Sequence, residues 1–105
     1  MDIIDEKGEK HIVTSGKKIL VDDNVIAHAA RHHSNVTLEG FAIPPQLQGR
    51  SIGSILIHHL EQEYAKHGVT KLHVRIPIKD CPIHAHFWAK HGYIQHHDIW
   101  TKTLQ

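Results

Sequence analysis

Apolar positions along the chain change period twice, dividing it into strands, a long helix and strands again. His11-Ile12-Val13-Thr14 and Lys18-Ile19-Leu20-Val21 have the apolar, β-branched character of short strands. Asp22-Asp23-Asn24 reads as a turn before Val25-Ile26-Ala27-His28-Ala29, which predicts a hairpin. A further strand runs from Val36 to Ile43 and ends at Pro44-Pro45, because proline cannot continue a ladder in mid-sheet. Beyond it, Ile52, Ile55, Leu56, His59, Leu60 and Tyr64 recur at steps of three and four, predicting a helix from about Arg50 to Lys66 that stops at a glycine C-cap, His67-Gly68. Leu72, Val74 and Ile76 then alternate with His73 and Arg75 in a strand ended by Pro77. It should lie parallel to residues 36–43, since a strand-helix-strand unit crosses over right-handedly. A short helix from Pro82 to His91 leads to Gly92, and Tyr93-Ile94 with Ile99-Trp100-Thr101 supplies a final strand, broken around His96-His97-Asp98.

The connection between the third apolar run and the long helix carries the clearest chemistry. Ile43-Pro-Pro-Gln-Leu-Gln-Gly-Arg-Ser-Ile-Gly-Ser54 places Gly49 and Gly53 where a helix begins, and a helix start offers unpaired N–H groups and the positive end of a macrodipole to an anion. A nucleoside triphosphate loop is excluded by the absence of G-x-x-x-x-G-K-[ST]. A dinucleotide loop is excluded because only two of the glycines of G-x-G-x-x-G are available. An ordinary strand-to-helix turn is the bland alternative.

The stretch resembles the central motif of the GNAT acetyltransferase superfamily, V-x-P-x-x-[RQ]-x-x-G-x-[GA], at Ile43, Pro45, Gln48 and Gly53, with Ser51 where the first motif glycine normally stands. Downstream, Phe87-Trp-Ala-Lys-His-Gly-Tyr93 is similar to the family's F-Y-x-K-x-G-[FY] segment. The resemblance covers residues 18 to 103. It implies an α+β (α/β) fold of GNAT type: a mixed, mostly antiparallel sheet with a central parallel strand pair, one long helix and one short. The family's helices between its first two strands have no counterpart here. That suggests a compact member, a domain from a longer chain, or a wall supplied by a second subunit.

The same resemblance implies acetyl-CoA as cosubstrate. Its pyrophosphate would lie on the N–H groups of Gln48, Gly49, Arg50, Ser51, Ile52 and Gly53, with Ser54 beside them, and its pantetheine arm would run along the main chain near Ala42 and Ile43. Cys81, where the family often has an asparagine, Phe87, Trp88 and the basic Lys90 complete the expected cofactor contacts. The implied activity is transfer of acetyl directly to a primary amine, on a small molecule or a protein. A non-catalytic acyl-CoA-binding regulatory module is the alternative. Glu39, on the strand leading into the loop and four residues before Ile43, is the candidate general base, because a free alkylamine is mostly protonated at neutral pH. Trp88 stands where many relatives have an acidic tyrosine, and an indole N–H is not a useful acid, so Tyr93, His84, Cys81 or solvent is left to protonate the departing thiolate.

Composition narrows the partners. The 105 residues suffice for one domain with a modest core, and 12 Lys plus Arg against 11 Asp plus Glu give a formal charge of +1, which does not indicate nucleic acid. The single Cys fits a reducing cytosol; Met1-Asp-Ile-Ile-Asp-Glu-Lys7 lacks the basic start and apolar run of a secretory signal, and no stretch is long and apolar enough to span a bilayer. The 13 histidines would carry the formal charge from +1 to +14 if all were protonated, so charge should depend steeply on pH near neutrality. No specific metal site is expected from them. H-E-x-x-H is absent, and His28 and His32 lie in a stretch read as extended, where four residues span about 13 Å. A chain this short without the family's wall helices should leave apolar surface uncovered, so a homo-oligomer is expected.

Overall fold

The alternation in the strands translates into a sheet that is buried on one side. The computed structural model describes residues 1–105, the side chain of Ile83 excepted. In chain order the elements are β1 (Asp2–Ile4), β2 (Lys10–Ser15), β3 (Lys18–Val21), β4 (Asn24–His32), β5 (Asn35–Glu39), α1 (Ile52–Lys66), β6 (Lys71–Arg75), α2 (Cys81–Lys90), β7 (Ile94–His96) and β8 (Ile99–Thr103), with single 3-10 turns at Pro45–Leu47 and Ile78–Asp80. The eight strands form one sheet in the order β1-β2-β3-β4-β5-β6-β8-β7. Every pairing is antiparallel except β5 with β6, which run parallel from Asn35↔Lys71 to Glu39↔Arg75. The mixed sheet with its central parallel pair, and the two helices of unequal length, are those the sequence implies.

Both helices lie on the same face. Ser54 in the first turn of α1 and His91 just past α2 are hydrogen-bonded, and Tyr93, which follows α2, reaches Glu61 of α1. On this side Val13, Val21, Val36, Leu38, Leu72, Val74 and Trp100 of the strands pack with Ile52, Leu56, Ile57 and Leu60 of α1 in one buried cluster. The alternate strand positions, among them Thr14, Thr37, Glu39, His73, Arg75 and Thr101, face away from the helices, and no other helix exists among the described residues to cover them. Ile12, Val25 and Ile94 stand exposed on the strands. No helix of the described residues is long and apolar enough to cross a membrane.

Four boundaries differ from the sequence reading, each for a local reason. β5 ends at Glu39 instead of Ile43, because Gly40 takes a left-handed φ of 69° and turns the chain out of the ladder. α1 begins at Ile52, two residues late, since its N-cap Ser51 also sits in the left-handed region, at φ 59° and ψ 21°. β1 was missed: three residues with a single buried side chain, Ile3, make too short a pattern to register. The last strand is a hairpin, β7 to β8, turning at His97 with φ 57°. β4 is extended through His28 and His32, which are both exposed.

Candidate active site

The parallel pair parts at its C-terminal end. Beyond Glu39↔Arg75, the Ala42 N–H turns to the Ile26 carbonyl of β4 at 2.9 Å, whereas the Ile76 N–H turns to the Asp98 carbonyl beside β8 at 2.7 Å. Each chain is drawn to its outer neighbour, and a gap opens between residues 40–43 and 76–77.

At the edge of that gap lies the start of α1. Its first intrahelical bond runs from the Ile55 N–H to the Ser51 carbonyl at 3.1 Å, so the N–H groups of Ile52, Gly53 and Ser54 have no partner within the helix. No side chain caps them, and the first turn holds no acidic residue. Positive φ at Gly49 (75°) and Ser51 (59°) curls the preceding loop around this helix end, and Gln48 Nε2 donates to the Ile43 carbonyl at 3.0 Å, fastening the loop to the strand it leaves. The result is a concavity of about 220 Å³ lined by Ile43, Leu47, Gln48, Gly49, Ser51, Ile52, Gly53, Ser54 and Phe87. Fixed N–H dipoles at a mouth without acidic neighbours on the helix are the arrangement that binds phosphate. A Cβ at Gly53 would make ordinary contacts, 3.4 Å to the Phe87 ring and 3.6 Å to Ile43 Cγ1, so the fold itself would admit a small side chain on this wall of the concavity.

The predicted loop residues are thus brought together, and Phe87 joins them from α2. Ala42 stands exposed at the gap and Lys90 exposed at the end of α2. Trp88, expected at the cofactor, sits in the core. It is 2% exposed and packs edge-on against Phe41, Phe87 and Tyr93 at centroid distances of 5.2, 4.8 and 5.1 Å. Cys81 is buried with Sγ 3.5 Å from the Ile76 carbonyl, a passive placement facing main chain. Tyr93 is corrected as an acid: its hydroxyl is buried and donates to Glu61 Oε2 at 2.6 Å. Burial first, then this bond and the charge of Glu61, push the phenol far above its ordinary range, which disfavours it as an acid.

Glu39 is exposed, on the sheet face away from the helices, at the point where β5 and β6 part. Four residues along a strand would put Ile43 on the same face as Glu39, but the bend at Gly40 breaks that alternation. Arg75 Nε lies 3.3 Å from Glu39 Oε1 and its Nη1 donates to Asp98 Oδ2 at 3.1 Å, a chain of charges along the open face.

Three groups near the site were not anticipated. Ser54 and His91 are 3.0 Å apart; burial first, then Lys90, lowers the imidazole pKa, which suits a neutral ring accepting the serine proton at Nε2. Glu61 receives both Tyr93 and, at 3.0 Å, Lys102 Nζ. Its signal is faint: a lone Glu inside an otherwise apolar helix face. The third is a network at the N-terminal turn, where Asp5, Glu9 and His11 bring potential ligand atoms within 4.8 Å of one another. Arg50 already lies among them, 3.4 Å from Asp5 Oδ2 and 2.8 Å from Glu9 Oε2, so protein cations supply the countercharge. A larger concavity, about 710 Å³, opens at the other end of the sheet beside Ser15–Lys17, Ala29–Arg31, Glu63 and His67. It faces the closing turns of α1 and offers no free helix start.

A parallel pair that parts, a glycine-bearing loop and an uncapped helix start in the gap define the class of acyl-CoA acyltransferase folds. Residues 2–93 match the acetyltransferase (GNAT) family, and the chain belongs to that family. Among solved structures it is similar to a protein described as a GNAT-family acetyltransferase from Desulfovibrio desulfuricans, with TM-score 0.64 at 14% identity over 84% of this chain and 67% of that one. It is also similar to the PaiA N-acetyltransferase of Thermoplasma acidophilum, solved in complex with coenzyme A, with TM-score 0.62 at 17% identity over 82% of this chain and 58% of that one. A third is Tetrahymena Gcn5, with TM-score 0.63 at 10% identity over 91% and 68%. At these identities the likeness is one of fold, and the chain spans between 58% and 68% of the length of these three relatives. No curated protein sequence matches the chain.

Proposed function

We propose that the protein is an acetyl-CoA-dependent N-acetyltransferase that passes acetyl directly to a primary amine, borne by a small molecule or a protein. The observation that carries this reading is the uncapped first turn of α1 facing the gap between β5 and β6. The N–H groups of Ile52, Gly53 and Ser54, with those of the loop from Gln48, would hold the pyrophosphate. The gap beside Ala42 and Ile43 would admit the pantetheine arm, and the Ile43 N–H would polarise the thioester carbonyl, that of Ala42 being taken by the Ile26 carbonyl. When bound, acetyl-CoA supplies the acyl group as an activated thioester.

Glu39 would take the proton that an alkylamine, with a pKa of about 10.4, carries at neutral pH, directly or through a water. It stands at the mouth of the gap on the uncovered face, which is where an acceptor has access. Because Tyr93 is committed to Glu61 and Cys81 faces main chain, protonation of the leaving thiolate falls to His84, exposed on α2, or to solvent. Solvent suffices for a thiol with a pKa of about 8.5. The same absence of an acid favours the second reading, an acyl-CoA-binding module without turnover.

Titration with acetyl-CoA, followed through Trp88 fluorescence, tests the first half of the proposal, since Phe87 joins that indole to the concavity. Thiol release over a panel of amines tests the second. Binding without release from any amine assigns the binding module, and absence of binding refutes both. If an amine is found, Glu39→Gln is expected to keep acetyl-CoA affinity and lower turnover by roughly a hundredfold, with the acid limb of the rate profile displaced.

A further inference from the structure

Arg50 lies within the phosphate cradle, yet its side chain is turned out of it. Its guanidinium donates to Glu9 Oε2 at 2.8 Å and approaches Asp5 Oδ2 at 3.4 Å, both in the turn between β1 and β2. The same turn grips the loop twice more: the Glu6 N–H donates to the Arg50 carbonyl at 3.2 Å, and the Ser51 hydroxyl donates to Glu6 Oε2 at 2.9 Å. Three residues of the N-terminal turn, Asp5, Glu6 and Glu9, therefore hold two consecutive residues of the cradle by main chain and side chain.

We propose that Asp5 is a positioning residue for the cofactor loop, acting through Arg50. The inference rests on the reading of that loop as a coenzyme A cradle. Asp5 is suited to be the fixed post, because its side chain is wholly shielded from solvent and, Arg50 apart, its contacts come from its own turn and from β2. Oδ1 accepts the N–H groups of Lys7 and Glu9 at 2.8 and 3.0 Å, which shapes the turn. Oδ2 accepts from His11 Nε2 at 2.8 Å as well as from Arg50. His11 in turn has Nδ1 2.6 Å from Asp22 Oδ2. An imidazole that faces a carboxylate oxygen with each nitrogen needs a proton on both, so His11 is the cation. Three carboxylates, Asp5, Asp22 and Glu9, then face one imidazolium, and Arg50 supplies the second positive charge that the group lacks. Arg50 is thus held by two carboxylates, one of them buried, while Glu6 to Ser51 is an exposed contact of small energetic weight.

What this gives the site is a prepared shape. The loop passes through two left-handed residues, Gly49 and the non-glycine Ser51, a conformation a free loop would leave. A cradle works only if its N–H groups converge before the anion arrives; ordering them at the moment of binding weakens affinity. Arg50 serves here as a tether and not as a phosphate ligand, and the two roles predict opposite results. If Arg50 contacted phosphate, freeing it from Asp5 would tighten binding. If it is a tether, freeing it loosens the loop and weakens binding.

The test is calorimetric titration of coenzyme A into wild type, Asp5→Asn, Arg50→Met and the double variant, with hydrogen exchange of the amides of residues 46–53 measured without ligand. Each single variant is expected to bind about tenfold more weakly, and the double variant no more weakly than Arg50→Met alone, because both break the same tether. Loop amides should exchange faster in both. Wild-type or tighter affinity in a folded Asp5→Asn overturns the proposal, as does a double variant whose loss is the product of the two singles. Should Asp5→Asn fail to fold, Arg50→Met alone carries the test, wild-type affinity with unchanged loop exchange overturning the proposal. Wild type that does not bind coenzyme A refutes the cofactor reading instead. The exchange data then decide the tether alone, faster loop exchange sustaining it and unchanged exchange ending it.

Discussion

Ser51 stands where the family pattern has glycine, and the structure shows what that exchange does. The residue is the N-cap of α1 at φ 59° and ψ 21°, a region that costs a side-chain-bearing residue about 1 kcal/mol. In Ser51→Gly that strain is relieved. Against it stand about 0.5 kcal/mol for the freer unfolded chain of glycine and about 0.5 kcal/mol for the lost exposed hydrogen bond to Glu6. The terms cancel to within about 0.5 kcal/mol, and for a domain of this size the melting temperature should move by less than about 4 °C. Affinity should not cancel. The serine side chain lines the concavity, and its hydroxyl holds the Glu6 carboxylate at the rim of a site built for an anion. Removing both should tighten coenzyme A by about three- to tenfold, the reach of up to about 1.4 kcal/mol. Calorimetric titration of wild type and variant, beside a thermal melt of each, is the measurement. Equal or weaker binding at an unchanged melting temperature would show that no phosphate lies against residue 51 and would remove the reason for placing the pyrophosphate there.

Glu61→Gln should destabilise the fold by about 1–2 kcal/mol, because Lys102 would lose its counter-charge while the amide oxygen still accepts one hydrogen bond, and chemical denaturation would show it as a lower midpoint; an unchanged midpoint would refute a structural role for the charge. Stability should also peak in mildly acidic solution. Hydrogen bonding to His11 lowers Asp5 and Asp22 below 3.8, so their contribution is complete above that value and is lost as pH falls through their folded pKa values. His11, raised above 6.5 chiefly by its bond to Asp5, contributes fully below 6.5 and loses that contribution as pH rises through its folded value, so His11→Gln should flatten the alkaline limb of melting temperature against pH. His73 and His91, lowered mainly by burial, act in the opposite sense below 6.5, and an identical alkaline limb in His11→Gln would refute the assignment. Light scattering is expected to give at least a dimer mass, and a monomer mass over a wide concentration range would count against the oligomer.

The cofactor half of the molecule was legible because it depends on local rules. Strand, loop and helix start follow one another within residues 36–66, and glycines, prolines and a change of hydrophobic period mark each step. What escaped was nonlocal. Asp5 and Arg50 are 45 positions apart and Tyr93 and Glu61 are 32 apart, and nothing in spacing or period pairs them. The partner of Tyr93 was hidden for the same reason: a tyrosine after a helix looks available until the carboxylate that accepts its hydrogen bond is located. Glu39 was placed on the right strand, but the geometry beyond it was not readable, because one glycine at positive φ cancels the alternation on which a same-face argument depends.

These two halves meet at an asymmetry in the fold. On the helix side of the sheet, everything the cofactor reading needs is present in the chain: a loop, an uncapped helix start, a wall from Phe87 and a tether from the N-terminal turn. On the other side the sheet carries Thr37, Glu39, His73, Arg75 and Thr101 with no helix over them, and Ile12, Val25 and Ile94 are exposed. Glu39 lies on the boundary, at the mouth of the gap but on the uncovered face. An acceptor bound there would have a base and a charge partner, Arg75, yet no second wall to exclude water or to select one amine over another. Any selectivity must come from whatever covers that face, the amine-bearing molecule itself if it is a protein, or a second copy of the chain. The acceptor panel therefore needs protein and peptide amines beside small ones: turnover confined to large acceptors would identify the acceptor as its own wall, whereas turnover of small amines that disappears on dilution would assign the wall to a second subunit.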